Sequence, residues 1–256
     1  MTVSDLIPNS SASQGCSGEL NAAARLTHIS EHVLGFRDTC NVYIIPDGDS
    51  AVLVDFGDGS VLDLLPALGV RQVTAILMTH HHRDQGQGLP RAVRAGIPIW
   101  VPHPELDLFR RVADHWQARE IYNNYNSRQD RFSLLENVPI AGALHDYAHL
   151  WFGSHLFTIL PTPGHTAGSI GIWLEIDGCK LVFSGDLIAA PGKVWSLAAT
   201  QWTYNGGEGL AFTTLSALDL KDRRPDALLP SHGDLIPDPA RAIDSLVQSL
   251  SGLMKY

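Results

Sequence analysis

Residues 76–86 read Ile-Leu-Met-Thr-His-His-His-Arg-Asp-Gln-Gly, so an apolar run ends in three imidazoles, a carboxylate and an amide. Donors of these types, packed this closely, suit a metal ion, because imidazole and carboxylate together hold zinc, manganese or iron. Residues 75–78 read as a short buried strand, being apolar and bounded by polar residues. A strand sends alternate side chains to opposite faces. The donors begin where the strand stops, so His80, His82 and Asp84 can converge from a loop while His81, between two of them, points away. Three adjacent histidines alone would suit a polar surface turn equally well.

Three further strand ends weigh against the surface turn. Pro161-Thr162-Pro163-Gly164-His165 follows the apolar residues 156–160, Ser184-Gly185-Asp186 follows 181–183, and Ser231-His232-Gly233 follows 227–230. Each carries a metal-competent side chain beside a glycine, which lets the backbone turn sharply and approach an ion closely. Taken together, His80-x-His82-x-Asp84, then His165, Asp186 and His232, resemble the metallo-β-lactamase superfamily, whose usual first motif is His-x-His-x-Asp-His. The resemblance runs in order, spacing and strand context from about Leu26 to the C-terminus. It implies an α/β fold, a four-layer αβ/βα sandwich with its metals at the edge between two sheets.

The same resemblance implies a ligand set. His80, His82 and His165 would hold a first metal; Asp84, His232 and Gln85 would hold a second, with Asp186 bridging and Asp84 as the catalytic residue that takes up and passes on a proton. One position departs from the family pattern, for Gln85 stands where the last histidine of the first motif is usual. An amide oxygen is neutral and a weak donor beside an imidazole, so the second position has the weaker ligands. Val54-Asp55-Phe56-Gly57 resembles the family's early aspartate, which implies that Asp55 supports the site from behind the ligands. By residue type alone Asp55 equally suits a solvated strand end.

A site with three protein ligands leaves an open position for water. A bound divalent ion brings the pKa of that water to about 7, and a second ion roughly 3.5–4 Å away stabilises the leaving oxygen. The expected cofactor is therefore two divalent metal ions, zinc first and manganese or iron as alternatives. The expected function is a metal-dependent hydrolase using metal-bound hydroxide on a small ester, thioester, lactone or related substrate. A bridging aspartate, where the commonest zinc β-lactamases place cysteine, argues against antibiotic hydrolysis and puts the motif nearer to glyoxalase II-like, lactonase-like and phosphodiesterase-like members. The long C-terminal helical domain of glyoxalase II is expected to be missing. Trp195, Trp202 and Tyr204 follow Asp186 and are candidates for an apolar substrate pocket, with simple core packing as the alternative. Two other functions stay open: a mononuclear iron oxidoreductase resembling the persulfide dioxygenases, built on His80, His165 and Asp186, and a metal-binding protein without turnover.

The elements that must position these residues are legible from pattern. With 256 residues, 45% of them hydrophobic, the chain can bury a full core. Residues 26–256 read as one domain, behind an arm of residues 1–25 rich in Ser, Asn, Gly and Ala. Residues 41–45 and 51–55 form a hairpin over a turn sequence, and Asp177-Gly178 joins the strands 170–176 and 179–183. Helices are predicted over 61–68, from Ser60 to Gly69, over 89–95, and over 210–218. Another begins at Pro104 with Leu106, Phe109, Val112 and Trp116 on one face. The polar residues 122–126 after it either reach over the site or merely connect elements. A last helix starts at Asp238-Pro239 with Ile243, Leu246, Val247, Leu250 and Leu253 on one face. His28, His32, His103, His115, His145, His149 and His155 match no ligand position.

Composition narrows the partners. No apolar run is long enough to span a bilayer, and no basic segment followed by an apolar one opens the chain, so no membrane and a cytoplasmic location are expected. Cys16, Cys40 and Cys179 lie far apart and read as free thiols in a reducing compartment. A formal charge of −9 with 18 Lys plus Arg, and no run of cations, argues against a nucleic-acid surface. A small molecule is the expected partner; nothing in the pattern specifies an oligomeric state.

Overall fold

Strand alternation sets the layering. In β3 (Asn41–Asp47), Val42 and Ile44 face one way, Tyr43 and Ile45 the other, and both sets are buried. The next strand, β4 (Ser50–Val54), repeats this with Ala51 and Leu53 against Val52 and Val54. A sheet with two apolar faces needs a layer on each side. A computed structural model describes residues 24–114, 132–197, 199–200 and 208–253 and supplies those layers.

The first sheet runs β1 (Leu26–His28), β2 (Leu34–Arg37), β3, β4, β5 (Gln72–Leu77), β6 (Ile99–Pro102) and β7 (Gly142–Leu144), in chain order. Its first four strands pair antiparallel and its last four parallel. The second sheet holds β8 (His149–Phe152), β9 (His155–Pro161), β10 (Ile170–Ile176), β11 (Cys179–Gly185) and β12 (Ala227–Pro230), in the spatial order β12-β11-β10-β9-β8. Between the sheets Tyr43, Ile45, Val54 and Leu77 meet Phe157, Ile172, Phe183 and Leu229. On the outer face of the first sheet pack α1 (Val61–Leu64), α2 (Arg83–Gly86), α3 (Leu89–Arg94) and α4 (Leu106–Arg110), contributing Val61, Leu89 and Phe109 to a second core. On the outer face of the second sheet, α5 (Glu208–Asp222) and α6 (Pro239–Leu253) bury Leu210, Leu220, Ile243 and Leu246 against Val182 and Leu228. This is the four-layer αβ/βα sandwich expected from the sequence.

Several local expectations need adjustment. The helix expected over 61–68 is α-helical only to Leu64 and continues as a 3-10 turn, Leu65–Leu68, with Pro66 near its start. Ser60 does not cap it; its hydroxyl accepts from Arg25 and donates to Asp38 instead. Asp238 does cap α6, its carboxylate accepting the Arg241 amide at 3.1 Å, but Leu253 at the far end is half exposed. Cys40 and Cys179 are buried. Residues 1–23 of the expected arm, with Cys16, the segment 115–131 with His115 and Trp116, and Trp202 and Tyr204 lie outside the described residues. Among the described residues no helix is long and apolar enough to cross a membrane.

The Asp177-Gly178 turn takes positive φ at both residues, as a two-residue hairpin requires. It also staples the two sheets. The Asp177 carboxylate accepts from Ser30 Oγ at 2.6 Å and from the His32 amide at 2.8 Å, and pairs with His32 Nδ1 at 2.6 Å. That hydrogen bond raises the His32 pKa above its ordinary value. A His32 pKa above about 6.5 is expected by NMR titration, falling back in Asp177→Asn, a residue that tolerates the left-handed turn. The pair's stabilisation is present below the unfolded pKa and fades as pH rises through the raised one. A wild-type His32 titrating at 6.5 or below would contradict the pairing.

Candidate metal centre

Every proposed donor sits just beyond the C-terminal end of a strand. His80 and His82 follow β5, with Asp84 and Gln85 in the short helix α2; His165 follows β9, Asp186 follows β11 and His232 follows β12. Backbone bonds lace the sheets together at this edge, from Ile170 N to Thr79 O (3.0 Å) and from Asn41 N to Ser231 O (2.7 Å). Two glycines are required here. Gly185 has φ 56°, turning the chain to deliver Asp186, and at Gly233, with φ 97°, a Cβ would lie 2.0 Å from the Ala189 carbonyl oxygen.

The donors form two abutting clusters, His80–His82–His165 and Asp84–Asp186–His232, each with its ligand atoms within 4.8 Å of one another. Asp186 stands between them. Its Oδ2 lies 3.2 Å from His165 Nε2 and 3.6 Å from His80 Nε2, and its Oδ1 lies 2.7 Å from His232 Nδ1. Nε2 of His232 is 3.3 Å from Asp84 Oδ2. In the first cluster, His82 Nδ1 and His165 Nε2 face each other at 2.9 Å, and the three rings pack edge to face at 4.7–4.9 Å between centroids.

This donor set fits a cation on its own chemistry. Buried polar atoms ordinarily find hydrogen-bond partners, yet His80 Nε2 and Gln85 Oε1 are buried with none. Imidazole nitrogens converging on one point cannot all satisfy one another, whereas an ion at their focus takes a lone pair from each. Burial, reinforced by the neighbouring imidazoles, pushes His80 down to about 4 and His82 well below its usual value, so both are neutral, as ligands must be. Burial alone would raise Asp186, but His165 and His232 hold its carboxyl well below the usual range. Against a downward pull from burial, Asp186 and Asp84 raise His232 to about 10.

Gln85 is fully buried; its Nε2 donates to Asp186 Oδ2 at 3.4 Å. A half-turn of the amide exchanges its nearly isosteric ends and would turn Oε1 to the same place. Asp55 touches no donor directly. It is buried, takes a left-handed φ of 56°, and accepts from the Thr79 amide at 2.8 Å, from Thr79 Oγ1 and from Ser231 Oγ at 2.7 Å. Thr79 Oγ1 in turn lies 3.0 Å from His80 Nδ1, so Asp55 ties the His80 loop to the His232 loop. Burial raises Asp55 to about 7, against the pull of these bonds.

Sequence reasoning missed two neighbours, Thr39 and Glu105. Thr39 accepts His232 Nε2 on its carbonyl oxygen at 3.2 Å and donates Oγ1 to the Asp84 carbonyl oxygen at 2.6 Å. Glu105 pairs with His81, which turns away from the donors as expected. Trp195, expected to line a pocket, lies flat on the His232 ring at 3.9 Å between centroids and 3° between planes, with 51% of its surface exposed. His103 stacks on His145, His149 bonds Thr158 and His155 contacts the Pro46 carbonyl oxygen, all apart from the donor clusters.

Comparison with known proteins agrees with this fold. Residues 35–232 match the model of the metallo-beta-lactamase superfamily. A hydroxyacylglutathione hydrolase of Bdellovibrio bacteriovorus is 32% identical over 155 residues, 59% of this chain and 49% of that protein. The chain thus spans about half the length of the curated hydroxyacylglutathione hydrolases it matches. Among solved structures, the MIM-2 metallo-beta-lactamase superposes with a TM-score of 0.68 at 19% identity, covering 90% of each chain. A Cronobacter sakazakii metallo-beta-lactamase described by its HARLDQ motif gives 0.66 at 18% identity, covering 90% of this chain and 96% of that one. That motif ends in Asp-Gln, as His80 to Gln85 does here. With the family model matched over most of its length, and with the sandwich that its neighbours share, the chain belongs to the metallo-beta-lactamase superfamily.

Proposed function

We propose that the chain is a metal-dependent hydrolase acting on a small ester, thioester or lactone. The observation that carries this reading is the pair of donor clusters joined through Asp186, with His80 Nε2 buried in the first and without a hydrogen-bond partner. His80, His82 and His165 would hold one divalent ion, and Asp84, His232 and Gln85 a second, with Asp186 shared; zinc suits the imidazole-rich set, manganese or iron less closely. When bound, such ions draw a nucleophile from water at neutral pH and polarise the substrate carbonyl.

The chain's own residues supply the rest. Asp84 has 36% of its side chain exposed against 1% for Asp186, so it is the carboxylate at the solvent edge and the one placed to accept and return a proton. Trp195 covers one face of His232 and keeps water from it. A hollow of about 180 Å³ opens there, lined by Arg37, Thr39, Asn41, Trp195 and Asp234, and it shares Arg37, Asn41 and Asp234 with a neighbouring cleft of about 390 Å³. Together they give room for a small substrate. Cys40 at the hollow is no nucleophile, for burial pushes its thiol well up. The names of the hydroxyacylglutathione hydrolase relatives favour a thioester. Asp84 and His232 beside Asp186 support two ions over a single iron.

A panel of p-nitrophenyl esters, acyl thioesters and lactones tests the reading before and after chelation. Activity is expected to fall at least about 100-fold on chelation, since the ion supplies several kcal/mol of transition-state stabilisation, and to return with zinc or manganese. Metal-free protein that hydrolyses at the original rate would overturn it. Gln85→His, titrated by calorimetry, is expected to tighten the second ion more than the first, because an imidazole is the better donor. Unchanged second-ion affinity would mean that Gln85 only hydrogen-bonds to Asp186.

A further inference from the structure

Glu105 is a buried carboxylate that hydrolysis does not use. It ends the 3-10 turn His103–Glu105 after β6 and is 2% exposed. Carboxylates are almost never buried so far without partners, and each of its oxygens lies within 3.1 Å of a polar side-chain atom. Oε1 accepts Thr166 Oγ1 at 2.5 Å, and Oε2 lies 3.1 Å from His81 Nδ1. Thr166 is fixed further: its amide donates to Ser169 Oγ at 3.1 Å and the two hydroxyls meet at 2.5 Å. Gly168 makes room for this, since a Cβ there would lie 2.4 Å from Glu105 Cγ.

The placement of the partners gives these contacts their meaning. His81 lies between the donors His80 and His82, and its ring packs on His82 at 4.8 Å between centroids; Thr166 directly follows the donor His165. One side chain therefore grips both loops that must converge to build the three-histidine cluster. The other cluster has a brace of its own in Thr39, through His232 and Asp84, while Asp55 ties the His80 loop to the His232 loop through Thr79 and Ser231.

We propose that Glu105 is a positioning residue for the three-histidine metal position, holding the loops of residues 79–84 and 163–169 in register through His81 and Thr166. The inference rests on the reading that His80, His82 and His165 hold an ion. Loops ordered in advance do not have to be ordered by the ion, so the brace acts as affinity. Burial would raise Glu105, but His81 and Thr166 hold it down to about 2, so its carboxylate is charged throughout the neutral range. An ordinary core ion pair would stabilise the fold without touching the ion.

Cobalt(II) separates these roles through its ligand-field absorption and through competition with a chromogenic chelator. Glu105→Gln, nearly isosteric, is expected to weaken cobalt at the three-histidine position about 10- to 100-fold, as loss of a partner behind a ligand typically does, and to shift its absorption. Thr166→Val should move both in the same direction by less, and the Asp84–Asp186–His232 position should change by less than about 3-fold. Thr166→Val keeps the volume and carries the same test should Glu105→Gln fail to fold. Unchanged affinity and spectrum in the folded variants, with only a lower melting temperature, would overturn the inference alone. A wild-type protein that takes up no cobalt would overturn the metal reading and this inference with it.

Discussion

His165→Ala is expected to lose the metal of the three-histidine position and at least about 100-fold in hydrolysis. Even groups one step behind a ligand cost about 10- to 100-fold in affinity or activity, and His165 is itself a proposed ligand. Its Nε2 faces both His82 Nδ1 and Asp186 Oδ2, so truncation opens the cluster on two sides. The fold should persist. His165 lies in the loop after β9, outside the three apolar cores, and the cost should stay within the ordinary range for a point mutant, about 0.5–3 kcal/mol. A folded variant with full metal content would remove His165 from the ligand set.

Asp186→Asn should have the wider effect. The substitution preserves shape but removes the one charge that both clusters share, with His80 and His165 on one oxygen and His232 on the other. Calorimetric titration is expected to show both ions weakened, each by at least about 100-fold, since a carboxylate ligand is replaced by a neutral amide. Loss confined to one ion would mean that Asp186 belongs to that position alone.

Much of this site was legible because its signals are local. Donors immediately after apolar strands need only the strand to place them, and the Asp177-Gly178 turn or the Asp238 cap needs only its neighbours in sequence. Of the bracing, only a supporting Asp55 was legible, through the family resemblance; its partner Ser231 and the Glu105 brace were not, because such contacts join distant residues of common types. Glu105 meets Thr166 across 61 positions and Asp55 meets Ser231 across 176, and nothing nearby marks either carboxylate as buried. Strand ends were misjudged for a related reason. Asp47 and Ser50 read as turn residues, yet pairing extends β3 and β4 to include them, because a ladder partner outweighs local propensity. Ser60 looked like a helix cap, but Asp38 and Arg25, brought in by the fold, hold its hydroxyl.

The two donor clusters that share Asp186 are proposed to hold two divalent ions. Elemental analysis of protein purified without added metal tests this proposal most directly, with metal counted per chain in wild type, His165→Ala and Asp186→Asn. Two zinc or manganese ions are expected per wild-type chain, fewer in His165→Ala and fewest in Asp186→Asn. A single iron per chain, or wild-type protein that holds no metal and takes up none when zinc or manganese is supplied, would contradict it.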